Sequence, residues 1–306
     1  MKVRVLGSAA GGGLPQWNCG CRNCLAARRG DAGIRPRTEE SVAVSTDGER
    51  WFVLNAAPEI RAQIEGFPPL QPREARHSPI EAIFLTNGDL DHCLGLLSLR
   101  ESKRLAVYAT ESVRRGFVND NVLYRTLERF PGQVTWHTLI PGERTTLRTS
   151  DARDAGLSVE PVAVPGKLPV HLERLHAETP GDNVGLSIRD ENTGRTLAYF
   201  PGVASATARM KQALAAADCF FFDGTFWSND ELVTLGLGTK RAVDMAHWPL
   251  SGHDGSLRWL AELSRARRIL IHVNNTNPIL YEESDEARFV RELGVEVAWD
   301  GMEFEV

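Results

Sequence analysis

A chain of 306 residues, 42% hydrophobic and 25% charged, can bury a large core and has the composition of an ordinary globular protein. Its net charge of −5, with the densest basic run (Arg265, Arg267, Arg268) reading as a solvated helix end, argues against nucleic acid as the main partner. No apolar segment approaches a membrane span and the first residues lack the apolar core of a signal peptide, so no membrane association and a cytoplasmic location are expected.

The chain opens with an alternating strand over 2–6, Val3 and Val5 on one face and Lys2 and Arg4 on the other. Gly7 and Gly11 to Gly13 follow. They fit neither a P-loop nor a dinucleotide fingerprint and read as a tight strand-to-loop passage. Next comes "WNCGCRNC", with Cys19, Cys21 and Cys24 in a C-x-C-x-x-C array. Three thiolates this close can converge on one tetrahedral ion, and their softness favours a structural Zn(II) in a loop over 17–25. The fourth ligand stays open between His272, Asn275 and a water.

Strands are predicted over 41–46 and 51–55, joined through the turn-forming Asp47-Gly48, with a helix over 58–65. The stretch "AIFLTNGDLDHCLGL" reads as a strand over 82–86, a polar turn offering Asp89, Asp91 and His92, and a helix over 93–101. On residues alone that turn also reads as a cap for the helix. Strands over 105–109, 157–164, 185–189 and 196–200 follow, with helices over 111–117 and 205–217 and a long loop over 165–184. The strand "CFFFD", 219–223, ends on Asp223. Loop 236–256 carries Lys240, Arg241, His247 and His253, and its glycines suggest a mobile flap. A helix over 256–267, a strand over 269–273 that carries His272, a helix over 284–293 and a strand over 295–298 complete the chain. Cys93 and Cys219 lie in apolar runs and read as core thiols. The pattern predicts one α/β (α+β) domain spanning 1–306, a mixed sheet core with helices outside.

The order of these segments resembles the metallo-β-lactamase superfamily, and most closely its coenzyme PQQ synthesis protein B branch, over essentially the whole chain. Superfamily hydrolases carry T-H-x-H-x-D-H-x-x-G-L after a strand. Here the segment reads Thr86-Asn87-Gly88-Asp89-Leu90-Asp91-His92-Cys93-Leu94-Gly95-Leu96. The cysteine insertion after "GSAAGGGLPQWNCGC" is similar to phosphodiesterase relatives and the PQQ branch. "CFFFDGTFWSNDEL" looks like a strand-plus-turn of the tRNA 3′-end endonucleases, and "SGHDGSLRWLAEL" with "RILIHVNNTNP" resembles the closing helix and strand that deliver a last ligand, His272. The resemblance implies an αββα sandwich with its site at one sheet edge.

Hydrolases of this fold hold two metal ions. The resemblance puts the first ion's histidines at Asn87 and Asp89, with a third at Gly166 or Lys167 and only His171 and His176 further on. It puts the bridging aspartate at Gly202 and a ligand-orienting acid at Asn55. The first position is dismantled. Asp91, His92 and His272 survive, with Asp89 as a fourth ligand or an acceptor behind an imidazole. Two imidazoles and a carboxylate on one face are the triad of mononuclear non-haem Fe(II) oxygenases. The resemblance then implies PQQ biosynthesis, with Fe(II)- and O2-dependent hydroxylation of the tyrosine ring of a cross-linked Glu-Tyr precursor. Asp223 and His253 would be catalytic, and Lys240, Arg241 and His247 would bind substrate. The implied partner is PQQ or its precursor, with a homodimer and other PQQ-pathway proteins left open. Two rivals stand beside this reading: a carrier for PQQ or its precursor, and a one-zinc hydrolase.

Overall fold

Fourteen strands form two sheets of seven in a computed structural model that describes residues 1–101, 104–263 and 265–306. The first sheet has β1 (Lys2–Gly7), β2 (Ser41–Ser45), β3 (Trp51–Leu54), β4 (Ile80–Phe84), β5 (Leu105–Ala109), β6 (Val134–Thr138) and β14 (Glu303–Glu305). The second has β7 (Thr145–Arg148), β8 (Asp154–Ala163), β9 (Val184–Asp190), β10 (Thr196–Phe200), β11 (Cys219–Asp223), β12 (Arg267–Ile271) and β13 (Glu296–Val297). The order is β14-β1-β2-β3-β4-β5-β6 in one sheet and β13-β12-β11-β10-β9-β8-β7 in the other. Each sheet is antiparallel in one part and parallel in the other. Pairing is parallel from β3 to β6 and from β10 to β13.

The apolar residues sort into three layers. Val3, Val5, Phe52, Leu54 and Phe84 of the first sheet meet Leu186, Tyr199, Phe221 and Ile271 of the second. The outer face of the second sheet (Phe200, Phe220, Phe222, Leu270) packs on helices, and so does that of the first (Trp51, Val53, Ile83, Val107). This is the αββα sandwich. A strand covered on both faces needs a continuous apolar run, which is why Cys219–Asp223 is buried at every position.

Eight α-helices are described: α1 (Arg22–Arg29), α2 (Ile60–Glu65), α3 (Leu90–Cys93), α4 (Glu111–Val118), α5 (Ala208–Ala216), α6 (Glu231–Thr234), α7 (Ser256–Glu262) and α8 (Asp285–Glu292). Hydroxyls start three of them. Thr110, Thr207 and Ser284 accept from the backbone N–H of Val113, Met210 and Ala287. The helix expected over 93–101 is instead the single turn α3 followed by a 3-10 turn, Leu94–Leu99. Gly95 donates to Ala56 O at 2.9 Å and so ties this segment to the end of β3. β6, β7, β14, α1 and α6 were not expected. No helix among the described residues is long and apolar enough to cross a membrane.

Candidate metal centre

The ends of β3, β4, β11 and β12 lie at one edge of the sandwich. After β4 the chain turns through Thr86–Asp89, and the backbone N–H groups of His92 and Cys93 both donate to Asp89 O. The short helix α3 thereby presents Asp91 and His92 side by side. His272 follows β12 directly in the left-handed conformation, φ 59°. Asp91 Oδ2 lies 3.1 Å from His272 Nε2 and 3.8 Å from His92 Nε2, and the two imidazoles meet edge to face with centroids 5.0 Å apart. A Cβ on Gly11 would come within 3.2 Å of Asp91 Oδ2, so the glycine passage after β1 lets backbone run close past this carboxylate.

These three residues offer one carboxylate and two imidazole donors, all within 4.8 Å of one another. His92 Nε2 is buried and has no hydrogen-bond partner. Such an orphan beside a carboxylate and a second imidazole fits a divalent cation. Burial works against charge here. For His272 the hydrogen bond and charge of Asp91 outweigh it, and the imidazole is pushed up to about 9. Asp91 is held well below the ordinary carboxylate range by His92 and His272, against its desolvation. For His92 burial dominates and lowers it to about 4.

Two hydrogen-bond networks aim the imidazoles. Thr225 Oγ1 lies 2.6 Å from Asp223 Oδ1 and 2.8 Å from His272 Nδ1. Its proton goes to the carboxylate, so it accepts from His272 Nδ1–H and leaves Nε2 directed at Asp91. Asp223 also accepts from Val203 N at 2.9 Å and pairs with His247 Nδ1 at 2.8 Å. It is fully buried, yet the charge of His247 helps hold it below the ordinary range against desolvation. The His247 ring stacks on His272 at 5.3 Å, and Asp223, His247 and His272 form a second group of converging donors.

Behind His92, Nδ1 lies 3.3 Å from Thr86 Oγ1, which donates to Asn55 Oδ1 at 3.1 Å. Asn55 Nδ2 in turn reaches Glu40 Oε2 at 3.0 Å and Tyr199 OH at 3.2 Å. Glu40 Oε2 is 3.5 Å from His92 Nε2, and burial pushes this carboxyl up to about 8. Glu40 was not singled out in the sequence. A carboxylate just before a strand carries no signal that distinguishes it from a solvated one.

A cleft of about 230 Å³ opens over the centre. Asn87, Asp89, Gly166, Lys167 and Gly202 all line it, so the positions expected to have lost a first ion's ligands converge here without an imidazole among them. Asp89 is half-buried and outside the converging donor groups; desolvation and the charge of Asp91 raise it to about 6. The loop residues sort differently from expectation. His253 is 96% exposed and lies 3.9 Å from the equally exposed Asp254, while Lys240 and Arg241 are exposed and Arg241 pairs with Asp244. None of the three lines the cleft. His247 does, because the left-handed Ala246 (φ 63°) turns the chain inward just before it. The basic side chain in the lining is Lys167, which the sequence did not mark as a substrate contact. His171 and His176 lie outside the lining, and His176 pairs with Asp120.

The three cysteines of the N-terminal loop are brought together as free thiols. Cys21 caps α1 by accepting from Cys24 N, Cys19 Sγ accepts from Cys21 N at 3.4 Å, and Cys24 Sγ accepts from Gln16 N at 3.4 Å. Three soft donors within 4.8 Å of one another fit Zn(II). Burial, then the neighbouring sulfurs, push the Cys21 thiol up to about 11, a crowding that a cation would relieve. Asn275 faces the cluster, its Nδ2 3.2 Å from Cys24 Sγ. His272, the other side chain considered for the fourth position, belongs to the Asp91 centre instead.

The Beta-lactamase superfamily domain matches residues 50–273, and the chain belongs to that superfamily. A diphosphatase of the PhnP family (TM-score 0.68, 22% identity, 100% of this chain and 97% of the other) and the short form of human tRNase Z (TM-score 0.59, 17% identity, 100% and 99%) share the fold. Within the superfamily the chain belongs to the coenzyme PQQ synthesis protein B family. It is 43% identical to the Azotobacter vinelandii protein of that name over 309 residues, covering 100% of both chains. It is 46% identical to that of Rhizobium meliloti over 308 residues, 99% of this chain and 97% of the other. The crystal structure of Zn(2+)-bound PqqB from Methylobacterium extorquens superposes with a TM-score of 0.91 at 44% identity over 100% of both chains.

Proposed function

We propose that the chain acts in PQQ biosynthesis as a metal-dependent oxygenase that hydroxylates the tyrosine ring of the cross-linked Glu-Tyr precursor. One observation carries the reading: Asp91, His92 and His272 converge beneath a cleft in which the positions of a first ion's ligands, Asn87, Asp89, Gly166, Lys167 and Gly202, offer no imidazole and a single carboxylate, Asp89. That arrangement supports one ion with open positions rather than two ions sharing a hydroxide. Fe(II) held by these three residues would supply O2 activation, which Zn(II), lacking redox chemistry, would not.

The chain's own residues do the remaining work. Thr225 and Asp223 fix the tautomer of His272, and Thr86 and Asn55 hold the ring of His92. Lys167 supplies an ammonium for a substrate carboxylate, and the amides of Asn87, Asn183 and Asn274 in the lining orient the rest of a polar ligand. His247, held through Nδ1 on Asp223, is the cleft imidazole placed to take up a ring proton. Asp223 acts through it as a positioning residue. In the overall reaction a ring C–H becomes C–OH with one atom of O2. The second atom leaves as water, with two protons and two electrons from an external reductant.

Zinc in the Methylobacterium extorquens structure favours a second reading, a one-zinc hydrolase. Affinity order and metal supply also place zinc in iron sites, so the two readings separate on turnover. The test is O2 consumption and product formation from the cross-linked precursor after anaerobic loading with Fe(II) or Zn(II). Turnover is expected only with Fe(II), O2 and an added two-electron reductant. Turnover with Zn(II) in the absence of O2 would overturn the oxygenase, and tight binding of precursor without turnover would favour a carrier.

A further inference from the structure

We infer that Asn23 and Asn275 tie the cysteine cluster to His272, so that an ion held by the cysteines sets how well the second centre binds its own metal. This rests on the reading of Asp91, His92 and His272 as a metal centre.

One short segment, His272 to Asn277, serves both places. At its start, His272 presents Nε2 to Asp91, while its Nδ1 and its carbonyl both meet Thr225 Oγ1, at 2.8 and 2.9 Å. Three residues on, the Asn275 carboxamide donates to Cys24 Sγ, and the Asn275 carbonyl lies 3.8 Å from Cys21 Sγ. Asn23 sits between those two cysteines in α1, buried, and spends Nδ2 on the segment: 3.1 Å to Asn275 O and 2.9 Å to Asn277 O. Asn277 Nδ2 then reaches back to Gly224 O at 2.9 Å, next to Thr225. The two centres are thus connected through three asparagines and the six-residue backbone segment His272 to Asn277.

The backbone of His272 shows why such a tie matters. A non-glycine residue at φ 59° is held against its own preference. Its surroundings must over-determine it. Thr225 fixes the segment on one side and α1 on the other. An ion at the cysteines draws Cys19, Cys21 and Cys24 together, fixes the cap and first turn of α1, and with them the position of Asn23. Without that ion, or without the Asn23 amide, the segment can relax toward negative φ and carry Nε2 off Asp91. Asn23 and Asn275 are therefore positioning residues for His272, and the cysteine cluster is coupled to the active centre as well as bracing the fold.

The experiment is a Co(II) titration of the metal-free full chain, read by absorption. Thiolate coordination gives an intense near-ultraviolet charge-transfer band, while a carboxylate-imidazole site gives only weak d–d bands, so the two centres are followed separately. Wild type is expected to show both. Asn23→Ala is expected to keep the thiolate band while Co(II) affinity at the second centre falls by about 10–100-fold, the usual cost of losing an outer support of a ligand. Cys19→Ser, a change at a half-buried loop position, should weaken the thiolate band and the second centre together. Should either variant fail to fold by circular dichroism, the other decides. Unchanged second-centre affinity in a folded variant would overturn the tie. Absence of any second set of d–d bands in wild type would instead overturn the metal-centre reading itself, and the tie with it.

Discussion

Replacing Thr225 by valine keeps the volume of a buried side chain and removes only its hydroxyl. That hydroxyl has one proton and three neighbours: Asp223 Oδ1 at 2.6 Å, His272 Nδ1 at 2.8 Å and His272 O at 2.9 Å. The charged and nearest acceptor takes the proton, and the imidazole donates in return. In the valine variant Asp223 Oδ1 keeps the N–H of residue 225, but His272 Nδ1–H is left buried without an acceptor. An unsatisfied buried donor costs about 1–3 kcal/mol. The imidazole also loses the contact that fixes its tautomer, which corresponds to about a 10–100-fold loss of metal affinity. The assay pairs thermal unfolding of the metal-free protein with competition titration of Co(II) or Zn(II) at the second centre. Thr225→Val should melt lower and bind the ion at least about tenfold more weakly; Thr225→Ser, which keeps the hydroxyl, should stay close to wild type. A valine variant with wild-type metal affinity would refute the role assigned to the Asp223–Thr225–His272 chain.

Further outcomes follow from the same geometry. Lys167→Ala is expected to raise KM for the acidic precursor by about 10–100-fold, the loss of one charge-assisted contact, with a smaller change in kcat; steady-state kinetics would show otherwise if Lys167 takes no part in binding. His253→Ala should leave turnover unchanged and His247→Ala should abolish most of it, since only His247 lines the cleft. In the metal-free protein His272 and Glu40 are raised to about 9 and about 8, so the folded state holds protons that the unfolded chain releases earlier. The stability they contribute is complete below their ordinary values and is lost as pH rises through 8 and 9. The Tm of EDTA-treated protein should therefore fall between about pH 7 and 9, and a flat profile would contradict these assignments. Gly95→Ala would bring a Cβ to 2.2 Å from Ala57 O. Chemical denaturation should show about 1–3 kcal/mol lost or more, because backbone rather than a flexible side chain must give way.

The long apolar runs were legible in the sequence because a strand covered on both faces leaves no room for polar residues; Phe220, Phe221 and Phe222 announce one without ambiguity. The exposed edge was not. Val134–Thr138, at the end of its sheet, half-buries only Val134 and Trp136, and two apolar positions in five residues are too short a signal to mark a strand. The helix α1 was hidden beneath the cysteine motif because its buried face is made of small residues, Cys24, Ala26 and Ala27, which give a weak periodic signal. In the site, Asp91, His92 and His272 could be named together because the resemblance places the turn after β4 and the end of β12 at one sheet edge; on residues alone the turn also reads as a helix cap. Glu40 and Lys167 could not: one reaches the centre from the residue before β2 and the other from a long loop, and only the packed sheets bring them in. His247 and His253, six positions apart in one loop, differ by a backbone turn at Ala246 that composition does not reveal.

The central claim is that Asp91, His92 and His272 would hold a single ion, which would supply O2 activation for hydroxylation of the substrate ring. It is tested most directly by mass spectrometry of the product formed from the cross-linked Glu-Tyr precursor, using anaerobically Fe(II)-loaded protein, an added two-electron reductant and isotopically labelled O2. The account predicts label in a new ring hydroxyl, lost in both His92→Ala and His272→Ala. Product without label, or label that persists when His92 and His272 are both replaced, would contradict it.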